Sequence, residues 1–442
     1  MSDPDPPDSG RDDPDAGDGP VAYVREHSEA LRDLALDLLA VDTQNPPGET
    51  TALVEVVEQY LAPFPVEVER FAVDPAKPNL LVTLPGDADW TLLYNGHLDT
   101  VPFDRAAWSH DPLGAVDGDR VYGRGATDMK GALAAMLFAV EAFSETATTP
   151  ATDVQFALVS DEEVGGDAGL PALLEAGLVD ADACVIGEPT CESGQHSVTV
   201  ADRGSIWLTL EATGTAAHGS RPPLGVNAID RLYGAVEALR ERFGDRDLDV
   251  DPAMAAVVAE SVEYYAPSMG EETARRLFAT PSINLGTFEG GEAINSVPQS
   301  ARAEVDIRLT AGVETPAMLA EVRDCVRHCE GITVADVSWS VGTMEPVDSP
   351  LVEAVASTAA AVAGERVYRR SATGGGDAKQ LRNAGVPTVE FAFGTDTVHA
   401  VDEYTTVEAL VGNAVVYTRL PEVLAAEVGA GAVGASAESD RN

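Results

Sequence analysis

Histidines and carboxylates recur in this chain at the ends of short apolar runs. TLLYNG leads into His97 and Asp99, VQFALVS into Asp161, Glu162 and Glu163, ACVIG into Glu188, and VPTVEFAFG toward His399. Asp128 stands at the mouth of an apolar helical stretch, DMKGALAAMLFAVEAF. Two imidazoles and three or more carboxylates around one volume are a donor set for zinc or a similar divalent ion, with one carboxylate bridging if two ions bind. Without a cation, buried carboxylates would repel one another and suffer heavy desolvation. His97 and Asp99 lie two apart on a strand end and so share a face. Asp99 is therefore expected to accept the second ring proton of His97 and fix its tautomer.

The elements that must position these groups begin with helical spacing from Ala22 to Leu39, and strand and helix signals alternate from there to about Pro189, which reads as α/β. TLLYNGHLD, VQFALVSDEE, ACVIGEPT and VPTVEFAFG are expected to be buried parallel strands. An open α/β sheet offers its ligand site at the carboxyl ends of its strands, where the His and acid residues stand. In the middle of the chain, SVTVADRGSIWLTLEATG reads as one long half-exposed strand or hairpin. A helix near Asn227–Phe243 follows, then strands at 282–289 and 301–309, a helix at 316–329 and a strand at 333–340. The order β, α, β, β, α, β is that of a ferredoxin-like sandwich, inserted in an α/β domain that resumes near residue 349. The stretch from Phe243 to Ser282 is more than such a sandwich requires and suits a packing or dimer contact.

The chain has 442 residues and a net charge of −46, and only three of its 28 basic residues are lysine. That charge excludes phosphate backbones and anionic lipid as partners. The acids are spread along the chain, a pattern expected of a surface adapted to concentrated salt, where the Debye length falls to about 3 Å at 1 M. Four cysteines in this length are too few for a disulfide framework. The acidic N-terminus and the lack of a long apolar run lead to the expectation of a cytoplasmic protein without a membrane segment. Residues 1–20 and 429–442 are expected to be disordered tails.

Eight motifs in order carry a resemblance: GHLDTVP (96–102), GRGATDMKG (123–131), SDEEVGG (160–166), GEPT (187–190), GTAAHGSRPPLGVNAI (214–229), INSVPQSARAEVDIR (294–308), TGGGDAK (373–379) and HAVDEY (399–404). With them the chain resembles the di-zinc deacylase and exopeptidase family that includes acetylornithine deacetylase, succinyl-diaminopimelate desuccinylase, aminoacylase and carboxypeptidase G-type enzymes. The resemblance implies a zinc-exopeptidase-like α/β catalytic domain over 21–196 and 344–428, with a ferredoxin-like α+β lid and dimerisation domain inserted over 197–343. It implies two divalent metal ions, zinc first, with cobalt or manganese as alternatives. Asp128 would bridge them, His97 and Glu188 would complete one site, and Glu163 and His399 the other. Glu162 falls at the general-base position, with Asp99 supporting. His218 would reach across a homodimer to the oxyanion. Asn295 and Arg308 would hold substrate polar groups, and the backbone of Gly375 and Gly376 a substrate carboxylate. The implied reaction removes the acyl group from an N-acyl amino acid. A dipeptidase or glutamate-releasing carboxypeptidase on the same scaffold is the nearest alternative, and a non-catalytic binding homologue the more distant one.

Two other constellations carry less. Cys325, His328 and Cys329 have i, i+3, i+4 spacing on an expected helix face but no fourth ligand. Gly374–Gly376 lacks the lysine and hydroxyl register of a phosphate loop.

Overall fold

The structure is a computed structural model that describes residues 19–439, so the expected tail up to residue 18 lies outside the described residues. The chain divides into two compact units. The first takes in the chain up to Pro189 together with Ser357–Glu365 and Ala392 onward, and the second holds Thr190–Ala356 and Arg366–Phe391.

The first unit begins with α1 (Pro20–Glu26), α2 (Ser28–Leu39) and α3 (Thr51–Leu61). The sequence predicts one helix over the first two, but His27 leaves helical geometry between them, and its Nδ1 turns back to the Tyr23 carbonyl at 2.9 Å. Next come β1 (Glu67–Phe71), β2 (Asn79–Leu84), β3 (Thr91–His97), β4 (Ala115–Asp117), β5 (Arg120–Tyr122), α4 (Lys130–Glu145), β6 (Asp153–Val159), α5 (Leu170–Glu175) and β7 (Ala183–Ile186). The sheet order within this unit is β1-β2-β6-β3-β7. β6, β3 and β7 run parallel, as their unbroken apolar runs predict, and β1 and β2 add antiparallel edges. Parallel order puts the carboxyl ends of β3, β6 and β7 along one edge. Helix α4, buried nearly end to end, lies so close to β3 that a Cβ on Gly96 would sit 2.6 Å from Met129 and 2.7 Å from Leu133.

The second unit contains β8 (Cys191–Glu192), β9 (Gln195–Ala201), β10 (Gly204–Thr213), β11 (Ala217–His218), α6 (Ala228–Phe243), α7 (Pro252–Met269), α8 (Glu271–Ala279), β12 (Ser282–Gly290), β13 (Ser296–Val297), β14 (Ser300–Leu309), α9 (Thr315–Arg327) and β15 (Ile332–Ser340). After α10 (Pro350–Ala363) come β16 (Val367–Ser371), α11 (Asp377–Asn383) and β17 (Thr388–Glu390). The sheet β12-β14-β10-β15 is antiparallel throughout, and with α6 and α9 it forms the expected ferredoxin-like sandwich. Alternate residues of β10 (Ile206, Leu208, Leu210, Ala212) and β14 (Ala303, Val305, Ile307, Leu309) meet Leu232, Val236, Leu239 and Val322 in its core.

The expected long hairpin is instead two strands in two sheets. β9 lies between β17 and β16, while β10 belongs to the sandwich. The chain turns between them at Asp202-Arg203, where the Asp202 carboxylate takes hydrogen bonds from Thr343, Lys379 and Arg382. β17, expected as a buried parallel strand, spans three residues and pairs antiparallel with β9. The stretch from Phe243 to Ser282 folds as α7, which packs on β16 and β9, and α8, which packs on α7. There Tyr264, Tyr265 and Phe278 form a small apolar cluster with Tyr368.

At the end of α9 the two cysteines face the sandwich core and His328 points away from them. Cys325 enters the sandwich core, His328 stands 76% exposed, and the Cys329 thiol is given to the Cys325 carbonyl. The first unit resumes with β18 (Tyr404–Thr406), paired to β5, and α12 (Val407–Ser439). α12 carries helical backbone to Ser439, within the stretch 429–442 expected as a tail, and residues 440–442 lie outside the described residues. Among the described residues no helix is long and apolar enough to cross a membrane.

Candidate active site

β3 ends in His97, β6 runs out into Glu162 and Glu163, β7 into Glu188, and Asp128 sits just before α4. All five meet within the first unit, together with His399 from the segment before β18. Donor atoms of His97, Asp128 and Glu163 lie within 4.8 Å of one another, as do those of His97, Glu162 and Glu188. The two oxygens of Asp128 are divided: Oδ1 is 3.0 Å from His97 Nε2, and Oδ2 is 3.1 Å from His399 Nε2. Glu188 stands 3.5 Å from His97 Nε2, and Glu163 3.2 Å from His399 Nε2. One carboxylate thus faces two imidazoles, each with a second carboxylate beside it, which is the donor arrangement of a bridged pair of divalent ions.

The electrostatics point the same way. Burial pushes His97 down, but the hydrogen bond to Asp128 and the charges of Glu188, Asp128 and Glu162 hold it well above an ordinary histidine. His399 is raised to about 10 by its bonds to Asp128 and Glu163. Burial raises Asp128, yet the two histidines outweigh that and draw it below the carboxylate range. Glu162 is pushed up to about 7, by burial first and then by Glu163, Asp128 and Asp99, against a lowering from His97. The cluster therefore draws protons onto its own imidazoles, the response of a carboxylate-rich pocket whose chemistry calls for positive charge.

Asp99 does a different job from the one its spacing predicts. The ring Nδ1–H of His97 is accepted by the backbone carbonyl of Asp99 at 2.9 Å, while the carboxylate is 3.8 Å away. That carbonyl still fixes the tautomer and turns the Nε2 lone pair toward Asp128 and Glu188. The carboxylate instead accepts the backbone N–H groups of Glu162 and Glu163, each at 3.2 Å, and the amide of Asn45 at 2.8 Å. It holds the turn that presents both glutamates. The same Asn45 amide reaches Asp161 at 3.0 Å, and Lys77 pairs with Asp161. Asp161 takes a left-handed φ of 67°, and Gly166 is required beside it, since a Cβ there would fall 1.9 Å from the Asp161 carboxylate.

Arg124 and Glu403 are the residues that sequence reasoning missed. Glu403 is fully buried and accepts the backbone N–H groups of Thr127 at 2.9 Å and Asp128 at 3.0 Å. Its other oxygen takes Arg124 Nη1 at 2.5 Å, and Arg124 Nη2 reaches the carbonyls of His399 and Ala400. One ion pair thereby ties the Asp128 turn to the His399 turn. Burial and the nearby Asp128 charge raise Glu403 to about 6, against the pull of its backbone donors and Arg124. Their signal in the sequence is two opposite charges set inside motifs of small residues, GRGATD and HAVDEY.

The remaining predicted residues lie in the second unit. His218, on β11, is exposed, with Nδ1 2.8 Å from Ser220 Oγ. Asn295 is its neighbour: the Asn295 carbonyl accepts Gly219 N–H at 2.6 Å, and a Cβ on Gly219 would strike the Asn295 backbone. Arg308 pairs with Asp306 at 2.8 Å and lies over the Trp207 ring. Gly375 and Gly376 precede α11, beside Lys379, whose ammonium is engaged by Asp202, the Arg203 carbonyl and Ser340.

Residues 93–422 match the family model described as peptidase family M20/M25/M40. The succinyl-diaminopimelate desuccinylase of Sphingopyxis alaskensis is 31% identical, over 86% of this chain and 94% of its own length. That of Dinoroseobacter shibae is 32% identical, over 74% and 82%. Among solved structures, an M20 family metallo-carboxypeptidase from Sulfolobus solfataricus superposes with a TM-score of 0.73 at 20% identity, covering 88% of this chain and 98% of that one. A dinuclear metal-binding M20 peptidase from Bacillus subtilis superposes at 0.60 and 14% identity, covering 90% and 98%.

Proposed function

This chain belongs to peptidase family M20/M25/M40 and is a metal-dependent amide hydrolase, and from that premise we propose that it removes the acyl group from an N-acylated amino acid. Two desuccinylases at about this level of likeness support succinyl as the first acyl group to test. The observation that carries the reading is the division of the Asp128 oxygens between His97 and His399, with Glu162 clustered beside His97 and Glu188.

His97 and Glu188 would hold one divalent ion, Glu163 and His399 the other, and Asp128 both. Such ions, when bound, lower the pKa of water and polarise the scissile carbonyl. Zinc is the proposed metal, because the donors are imidazole nitrogens and carboxylate oxygens, and cobalt or manganese would suit the same set. Glu162 takes the proton from the attacking water and returns it to the leaving amine. Burial suits it to both tasks by raising it to about 7, near the working pH of a general base. Asp99 keeps Glu162 and Glu163 in register through their backbone N–H groups, and Glu403 does the same for Asp128. His218 is assigned to the oxyanion from a partner subunit in a homodimer. Asn295, Arg308 and the amides of Gly375 and Gly376 are assigned to the polar ends of the substrate. The acidic surface fits a cytoplasm of concentrated salt.

Turnover of N-succinyl, N-acetyl and dipeptide substrates at high KCl, with zinc, cobalt or a chelator, tests the reading. Metal-dependent release from an N-acyl amino acid is expected. Cleavage of dipeptides alone would refute it.

A further inference from the structure

Cys191 and His196 are register partners across the β8–β9 hairpin. Cys191 Sγ lies 2.9 Å from His196 Nδ1, and both side chains are only partly buried. An imidazole at this distance is placed to accept the thiol proton, and a thiolate beside an imidazolium is the nucleophilic form of cysteine. The other cysteines sit in the opposite environment. Cys184 is fully buried, and burial pushes the thiols of both Cys325 and Cys329 up. One thiol of four thus combines access with a base.

We propose that Cys191 is a reactive thiol that hydroperoxides oxidise to the sulfenic acid. The thiolate sulfur attacks the nearer peroxide oxygen, the S–O bond forms as the O–O bond breaks, and the departing alkoxide or hydroxide takes the proton held by His196. The products are Cys191 sulfenic acid and an alcohol or water, with His196 neutral again. The charged and titratable groups around the hairpin include Glu192 on β8, Tyr264 and Tyr265 on α7, and Tyr368, Arg369 and Arg370 on β16, with Gln195 donating to the Tyr368 hydroxyl at 3.0 Å. Arg369 is paired with Glu353, and Arg370 is held between the rings of Tyr264 and Tyr265. Cys191 lies three residues beyond Glu188 and has no part in the reaction proposed above, so its oxidation is a chemistry separate from amide hydrolysis.

The test is dimedone trapping of metal-loaded, full-length protein after a pulse of hydrogen peroxide, with peptide mapping of all four cysteines. At pH 6.5 Cys191 is expected to be labelled about tenfold faster than any other cysteine. Between pH 8 and 6.5 its rate should stay nearly level, where an ordinary thiol loses about tenfold per pH unit. His196→Asn and His196→Gln, checked for fold by circular dichroism, should each slow it about tenfold. Equal labelling of the four cysteines in the wild-type protein would overturn the proposal, as would a tenfold fall per unit of pH.

Discussion

Replacing Glu403 with glutamine keeps the shape of the side chain and removes its charge. Oε1 would still accept from Thr127 and Asp128 at 2.9 and 3.0 Å, but both bonds would pass from charge-assisted to neutral, a loss of about 1 kcal/mol each. On the other side an amide would meet Arg124, 2.5 Å away and 4% exposed. Breaking a buried pair at one end costs about 3–5 kcal/mol. Because Arg124 also holds the His399 and Ala400 carbonyls, the relaxation falls on the two turns that carry Asp128 and His399. Much of that cost is common to metal-free and metal-loaded protein. The share specific to the loaded state should match the 10–100-fold that outer partners of metal ligands contribute, about 1.4–2.8 kcal/mol. Metal affinity measured by competition with a chromophoric chelator should therefore weaken 10–100-fold, with turnover recovering as free metal is raised. Unchanged affinity would refute the reasoning, and so would turnover that no metal concentration restores.

Glu162→Gln should bind metal as the wild type does and lose about 10²–10⁴-fold in kcat; near-normal turnover would remove Glu162 from its role. Glu390 in the second unit is partly buried and its carboxyl is raised, desolvation outweighing Arg382 and Arg370. A raised carboxyl binds its proton more tightly folded than unfolded, so its contribution is present below the ordinary glutamate range and is lost as pH rises toward the folded value. Tm should fall over that window, and Glu390→Gln should flatten the slope, which scanning calorimetry against pH would read. With a net charge of −46, Tm should rise as KCl goes from 0.1 to 2 M or so, through screening of self-repulsion; a flat response would end the salt-adaptation reading.

The candidate donors were legible because the chemistry needs rare residue types, and the parallel strands β3, β6 and β7 collect His97, Glu162, Glu163 and Glu188 at their carboxyl ends, whereas His399 arrives on the segment before β18. His97, Asp128, Glu162, Glu163, Glu188 and His399 stand among the candidates beside Asp99 and Asp161, and the family resemblance gives them their expected roles. What supports them was not legible. Asp99 was read from its spacing to His97, a local argument, whereas its carboxylate serves a turn 63 residues away. Arg124 and Glu403 are 279 apart in the chain, and neither carries meaning until the fold brings them together. The same limit explains β9 and β10, whose continuous strand pattern hides a change of sheet. That change is made by the anchoring of Asp202 to Thr343, Lys379 and Arg382, all far downstream.

Helices α7 and α8 leave the chain between α6 and β12 of the sandwich, yet α7 packs on β16 and β9 of another sheet in the same unit and carries α8 on its flank. Tyr265 gives its hydroxyl to the Ser371 carbonyl, Ser261 accepts Ser371 N–H, and Arg370 is enclosed by Tyr264 and Tyr265. The excursion works as a stitch: one layer cannot open without pulling on the other, because the thread runs through both. Amide exchange in β12 and in β16 should consequently report a single opening event, and trimming residues 252–279 as a dispensable loop would uncover a buried arginine and fray two sheets at once.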